Sequence, residues 1–419
     1  MNSSNGGVRM PLLEQVRIAT GTVESAALPT GLQLDPHLGL ACVPGLSGQV
    51  VHNARDSEKG LFESRGARMP NGDYLLMFPD GNHYGRTHEK DNDMLAYRSR
   101  DRGRTWEGPQ LAFDINYSQH GFIPLYPAGS ERVYAFGTQP IPGMWTRERG
   151  LQENAPIGFR YSDDHGHAWS EVRLIRPVND PGFRGMSVMH MTETARGTWL
   201  VGSHEGDWSY KPLITRQYVL RSEDRGDTWD LLPGVRHGGW HAPPMGRMDE
   251  GRPLAAEGDE VYLLARTPTG RLWDLRSRDD GRTWSDPKPT SMVHPDAPPM
   301  LFPLSDGGTW VSIHHNVHTQ GQYVGLAGMM DGMYDRGQLW ASLSTDWGRS
   351  WSEPGFLCTM ARQTDLGSPF RNYQCSYVDG FADEGVLNLF MSQSWQRVLH
   401  MQIRESELND LPTKRDLEV

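Results

Sequence analysis

The sequence predicts an all-β protein built as one closed array of repeated hairpin units. A short pattern occurs five times, as Ser99-Arg-Asp101-Arg-Gly103-Arg-Thr105-Trp106, Ser162-Asp-Asp164-His-Gly166-His-Ala168-Trp169, Ser222-Glu-Asp224-Arg-Gly226-Asp-Thr228-Trp229, Ser277-Arg-Asp279-Asp-Gly281-Arg-Thr283-Trp284 and Ser344-Thr-Asp346-Trp-Gly348-Arg-Ser350-Trp351. Successive copies lie 63, 60, 55 and 67 residues apart, the spacing of stacked supersecondary units that cannot bury their apolar faces alone. The composition agrees: 47 Gly, 29 Pro and 14 Trp in 419 residues suit many turns and an aromatic-rich core.

Each part of the repeat has a structural task. Asp accepts hydrogen bonds from backbone amides in a tight turn, and Gly supplies the positive φ that such a turn requires. The Ser or Thr hydroxyl adds a local bond, except in the second copy, where Ala168 stands in its place. Trp pins the turn against a neighbouring strand. Short apolar runs such as Met94–Arg98 and Gln217–Arg221 precede the turns, so each copy reads as strand, turn, strand. These aspartates are therefore structural punctuation rather than catalytic groups.

The pattern resembles the Asp box of sialidases and related BNR-repeat proteins, over about residues 60 to 405. The resemblance implies a β-propeller of four-stranded antiparallel blades. Hairpins at 68–78, 122–136, 186–201, 253–264, 299–313 and 375–390 count six blades, or seven if residues 1–58 hold another. Arg397–Ile403 supplies a third strand to the last. Residues 1–58 are expected to complete that blade, with Gln15–Ala19 as the closing strand. The propeller then spans 59–405, and 406–419 form a C-terminal tail.

A formal net charge of −11 argues against nucleic acid as a partner. No apolar run is long enough for a membrane helix. The N-terminus lacks a basic region followed by an apolar segment, which predicts a cytoplasmic protein as written, or a secreted or periplasmic one if a signal was removed. Cys42, Cys358 and Cys375 have no metal-type spacing and form no disulfide framework. No metal and no cofactor are expected, and the partner is a carbohydrate.

Inner strands of a propeller converge on one axial cleft, so polar residues at their mouth ends meet there. They are Glu63, Asn82 and His83 from the first blade, His120 and Gln139 from the second, and Arg184, His204 and Glu205 from the third. Asp249, Glu250 and Arg266 come from the fourth, Asp296, His315 and Asn316 from the fifth, and Arg371, Tyr373 and Gln393 from the sixth. Trp208 and Trp240 lie in loops beside the cleft, where they are candidates for stacking on sugar rings.

The resemblance to sialidases implies a Tyr nucleophile assisted by Glu, an Asp acid/base on a first-blade loop, and three Arg that clamp a carboxylate. Glu250 and Arg266 resemble the family's Glu-to-Arg segment, Tyr373 matches the nucleophile position, and Asp91 or Asp93 falls where the acid/base would lie. The first hairpin departs from the family, with Phe62-Glu63-Ser64-Arg65 where sialidases place Arg-Ile-Pro, and Ile313-His314-His315-Asn316 stands where another clamp Arg is expected. The sequence thus predicts a carbohydrate-active enzyme, a sialidase-like glycoside hydrolase acting on sugars that include acidic ones. One alternative is a polysaccharide lyase in which His120, His204 and Tyr373 move protons and Arg266 neutralises a uronate. The other is a propeller that binds carbohydrate without catalysis.

Overall fold

The computed structural model describes residues 31–54, 60–61, 63–81, 92–115, 123–125, 127–139, 154–210, 213–243, 245–317, 336–361 and 374–417. Their strands form a six-bladed β-propeller of antiparallel sheets. Three strands precede the first blade: β1 (Gln33–Asp35), β2 (Leu40–Cys42) and β3 (Ser47–Asn53). Blade one has β4 (Gly60–Leu61), β5 (Arg65–Arg68), β6 (Tyr74–Gly81), β7 (Asn92–Ser99) and β8 (Glu107–Ile115). Blade two has β9 (Ile123–Leu125), β10 (Val133–Thr138), β11 (Ile157–Ser162) and β12 (Arg173–Leu174). Blade three has β13 (Ser187–Glu193), β14 (Trp199–Asp207), β15 (Ile214–Ser222) and β16 (Asp230–Leu232). Blade four has β17 (Asp249–Ala255), β18 (Val261–Arg266), β19 (Arg271–Ser277) and β20 (Lys288–Val293). Blade five has β21 (Met300–Pro303), β22 (Trp310–His314), β23 (Gln338–Ser344) and β24 (Gly355–Met360). Blade six has β25 (Cys375–Asp383), β26 (Val386–Gln393) and β27 (Arg397–Arg404).

The inner strands β5, β9, β13, β17, β21 and β25 touch one another in sequence around the axis, and β25 returns to β5. The chain closes this ring with its N-terminal strands. β3 pairs with β27 as the outer strand of blade six, while β2 extends blade five by pairing with β24. The expected closing strand Gln15–Ala19 lies outside the described residues. At the C-terminus, Glu405–Asp410 forms a 3-10 turn and Lys414–Leu417 a short helix, with Leu408, Leu411 and Leu417 buried in the core of blades five and six.

The repeated turns join neighbouring blades. In the first, Asp101 accepts from the Thr105 amide at 2.8 Å and its hydroxyl at 2.7 Å, while Ser99 accepts from the Gly103 amide at 2.7 Å. Each turn's Trp then packs on the preceding blade: Trp106 on Phe390, Trp169 on Phe113, Trp229 on Phe136, Trp284 on Trp240 and Trp351 on Tyr262. Three arginines just before the repeat's Ser bond the next blade's turn in return. Arg98 donates to the His165 carbonyl, Arg221 to that of Asp280 and Arg276 to that of Trp347. The repeat is thus the mortar between blades.

One consequence is measurable. Gly281 has φ +79°, and an added Cβ would lie 2.7 Å from Leu200 of blade three. Left-handed backbone costs an L-residue about 1–2 kcal/mol before any repacking. Gly281→Ala is therefore expected to lower Tm by several degrees, and an unchanged melt would remove this turn from the blade joint.

Candidate functional site

The cleft is shaped by bulges in the inner strands. Across β17 and β18, Asp249 faces Arg266 but Arg252 faces Leu264, so β17 holds one extra residue. β25 does the same between Ser376 and Asp379, and β13 between Val188 and His190. In blade one, Leu61 pairs with Asp80 and Arg65 with Met77, leaving three residues opposite two. A bulge interrupts strand alternation and re-aims its side chain. Glu63, Glu250 and Tyr377 sit at these points with φ of 52°, 50° and 55°. Left-handed backbone at such residues is strained, and strain of this kind concentrates at functional sites.

These bulges bring a tyrosine, a carboxylate and a guanidinium into line. The Tyr377 hydroxyl donates to Glu250 Oε1 at 2.9 Å, and Arg266 Nη1 donates to Glu250 Oε2 at 2.8 Å. Arg266 Nε reaches Asp296 at 2.6 Å. Arg247 bridges Asp249 at 2.8 Å and Asp296 at 2.9 Å, and the Thr215 hydroxyl donates to Asp249. All are buried except for small residual exposure, so each charge depends on its partners. From behind, His204 Nδ1 accepts the Glu250 amide at 3.3 Å, and Gln217 accepts that of Gly251 at 2.7 Å.

Burial, followed by the Glu250 charge, pushes the Tyr377 hydroxyl well above its ordinary range, so it is protonated at neutral pH. Burial acts to raise Asp249 and Asp296, but Arg247 and Arg266 overcome it and hold both carboxyls below the usual range. The same carboxylates hold Arg266 firmly protonated against its burial.

Beside this pair lie polar atoms with no hydrogen-bond partner among the described residues. Arg65 donates to Glu63 at 2.7 Å, while its Nε and Nη1 are unpartnered although the side chain is fully buried. Arg336 Nη2 donates to the Asp296 carbonyl at 2.5 Å, and its Nε is likewise unpartnered. The charges of Arg336 and Glu63 both act on the Tyr377 hydroxyl. His315 Nδ1 bonds the Gln338 carbonyl at 2.8 Å, which makes it the protonated nitrogen and leaves Nε2 as an unpartnered acceptor. Burial lowers its pKa to about 3, so the ring is neutral. Deeper in the axis, Arg252 bonds Asp379 at 3.1 Å, and His190, lowered to about 4 by burial, bonds the Pro253 carbonyl.

Among the residues expected at the cleft, the structure gathers Glu250, Arg266 and Glu63 with their partners. His204 accepts the Glu250 backbone amide, as a positioning residue. His315 is in the adjoining blade-five cluster, its ring stacked on His294 at 5.1 Å, and Asn316 follows it with φ 50°. Gln139 directly follows β10, buried, with Oε1 unpartnered among the described residues. Arg184 donates to the Gly182 and Phe183 carbonyls just before β13. Asp93 lies on β7, opposite Asp80 and Asp114, two strands out from the axis. Trp208 follows β14, half-buried. Trp240 is a packing residue: its backbone pairs with Gln217 and its ring meets Trp284 at 5.9 Å in the joint between blades three and four. Tyr373, Asp91, His120, Arg371 and His83 lie outside the described residues.

Tyr377, Arg336 and Arg247 were not among those expectations, and Arg65 was placed out of register. Tyr377 reads in the sequence as one more strand residue, because a bulge leaves no mark in composition. Arg336 lies two residues before the third strand β23, away from the first-strand starts and second-strand ends where the cleft residues are expected. A charged residue just ahead of an apolar third strand is the signal that could find it.

Residues 84–388 match the BNR repeat-like domain family. The chain belongs to that family. Solved structures share its propeller fold. The propeller superposes on a Hadza microbial sialidase with TM-score 0.62 and 17% identity, covering 87% of this chain and 69% of that one. It superposes on the NanB sialidase of Streptococcus pneumoniae with TM-score 0.58 and 13% identity, covering 87% and 71%. A protein of unknown function from Dyadobacter fermentans matches with TM-score 0.61 and 15% identity over 86% of this chain and 100% of that one. At these identities the likeness concerns the fold. By sequence, a Paenibacillus xyloglucanase is 24% identical over 220 residues, half of this BNR-repeat chain, which spans only 20% of that enzyme's length. Among the described residues, no helix is long and apolar enough to cross a membrane, and no group of three or more His, Cys, Asp or Glu is arranged to hold a metal ion.

Proposed function

We propose that the protein is a retaining glycoside hydrolase acting on an acidic sugar, with Tyr377 as nucleophile and Glu250 as the base that takes its proton. The observation that carries this reading is the 2.9 Å bond from the Tyr377 hydroxyl to Glu250, whose other oxygen is held by Arg266. A phenol that is protonated at neutral pH attacks an anomeric carbon only if its proton leaves at the same time, and Glu250 is in place to accept it. Arg266 orients Glu250 through its 2.8 Å bond to Oε2.

Most retaining glycosidases attack with a carboxylate. A neutral phenol suits an anomeric centre that already bears negative charge, because a carboxylate nucleophile would be repelled there. The unpartnered N–H groups of Arg65 and Arg336 supply donors for that charge, and the His315 acceptor suits a sugar hydroxyl. Attack gives a Tyr377-linked glycosyl intermediate as the leaving group departs with a proton from the Asp91–Asp93 region. Water then attacks the anomeric carbon and gives its proton to the carboxylate that had protonated the leaving group, while Glu250 returns its proton to the Tyr377 oxygen as that bond breaks.

A panel of acidic and neutral glycosides, with products read by mass and by ultraviolet absorbance, tests this. Hydrolysis should add one water with retained anomeric configuration, on acidic sugars and not neutral ones. Glu250→Gln should remove about 10²–10⁴-fold of that turnover while leaving sugar binding in place. Unsaturated products without added water would replace the reading with elimination. Binding without any product would reduce the protein to a carbohydrate receptor.

A further inference from the structure

The three cysteines of the chain are far apart in sequence, yet all lie buried in the one apolar cluster shared by blades five and six. Cys42 is on β2, Cys358 on β24 and Cys375 at the start of β25. Cys42 and Cys358 are direct partners across the antiparallel pair β2–β24. The Val43 amide donates to the Leu357 carbonyl at 3.0 Å, so Val43 and Leu357 are the hydrogen-bonded pair. Cys42 and Cys358 are therefore the non-hydrogen-bonded pair, where opposite side chains approach most closely. Cβ atoms there lie about 4.5–5.5 Å apart, close to the separation a disulfide spans.

We propose that Cys42 and Cys358 are a latent redox pair that closes to a cross-strand disulfide, stapling the N-terminal strap to blade five. The strap matters because β2 extends blade five while β3, a few residues later, completes blade six. A bond at Cys42 fixes the segment that crosses this last joint of the ring. Cys375 has no register partner among the cysteines and stays a thiol.

The native sheet protects the pair. The Cys358 thiol is held well above its usual pKa, first by its hydrogen bond to Cys42 and then by burial, and burial raises Cys375 as well. Thiolates are the reacting species, so the closed sheet is inert. β2 is held to β24 by three residue pairs and, among the described residues, is flanked on its other edge by the three-residue β1. Opening of β1–β2 exposes both thiols. With a low-molecular-weight disulfide such as oxidised glutathione as oxidant, one thiolate attacks a glutathione sulfur and releases one reduced glutathione. The second protein thiolate then displaces the other. Two protein thiols are oxidised, two glutathione thiols form, and the protein loses two hydrogens.

The test uses the full chain incubated with oxidised glutathione, with and without sub-denaturing urea, then acid-quenched and alkylated with N-ethylmaleimide in denaturant. Intact mass should show one maleimide instead of three and no bound glutathione, and peptide mapping should link Cys42 to Cys358. Urea should speed the reaction. The oxidised protein should melt about 5 °C or more higher, and dithiothreitol should reverse the gain. Cys375→Ser should leave the cross-link intact, whereas Cys42→Ser or Cys358→Ser should abolish it. Should the serine variants fail to fold, the wild-type peptide map decides alone. Three maleimides under every condition, a lasting glutathione adduct, or a cross-link through Cys375 would overturn the proposal.

Discussion

Replacing Tyr377 by Phe is expected to cut turnover by about a thousandfold or more while leaving the propeller folded. The substitution removes one oxygen from a buried ring and leaves the surrounding carbon packing unchanged. Its structural cost is the lost bond to Glu250 Oε1, about 1–3 kcal/mol, which is small against the chemical loss. The pH dependence separates nucleophile from scaffold. Because burial and Glu250 hold the Tyr377 hydroxyl far above its ordinary range, the tyrosine stays protonated across the working range and does not set the profile. Tyr377→Phe should therefore lower the rate throughout that range rather than on one limb of it. Circular dichroism and melting would check the fold, and initial rates on an acidic aryl glycoside would check the chemistry. A variant within tenfold of the parent would take the nucleophile away from Tyr377 and leave the hydroxyl as a brace for Glu250.

What the sequence could carry is what local chemistry records. The repeated turns are written in local chemistry, with Asp, Gly and hydroxyl at fixed offsets, and the structure builds each from those bonds. Six hairpins are equally local. Glu250 and Arg266 were legible because they stand at the two ends of one hairpin and must meet if it forms, as their 2.8 Å bond shows. The bond from Tyr377 to Glu250 was not, because it depends on the bulge between Ser376 and Asp379. A bulge shifts register by one residue and so decides which side chain turns toward the axis. Arg65 was obscured in the same way, since the extra residue in blade one alters the register on which its placement relied. Cross-blade partners such as Arg247 with Asp296, 49 residues apart, depend on how blades stack, which no local pattern records.

Arg266→Met is the substitution expected to damage the fold most, and its damage should depend on pH in the opposite sense to ordinary acid denaturation. Arg266 sits among Glu250, Asp249 and Asp296 at 2.8, 3.6 and 2.6 Å. Removing it leaves three buried carboxylates with Arg247 as the guanidinium bonded to Asp249 and Asp296, a loss of about 3–5 kcal/mol at neutral pH. In the parent protein Asp249 and Asp296 are held below the usual carboxylate range. Their contribution is therefore complete above the unfolded-state pKa near 4 and fades as pH falls through the lower folded values. In the variant, burial and mutual repulsion push carboxyls of the cluster above that unfolded value. A group raised in this way is tolerated when protonated and penalised when charged, so the variant gains relative stability as pH falls from 7 toward 5. The difference in Tm between parent and variant should accordingly shrink on acidification. Melting both proteins at pH 5 and 7.5 isolates the effect, because buried neutral histidines such as His315 contribute equally to each. A gap that is constant with pH would mean that Arg266 supports the cleft by packing alone, and that the carboxylates around it do not depend on its charge.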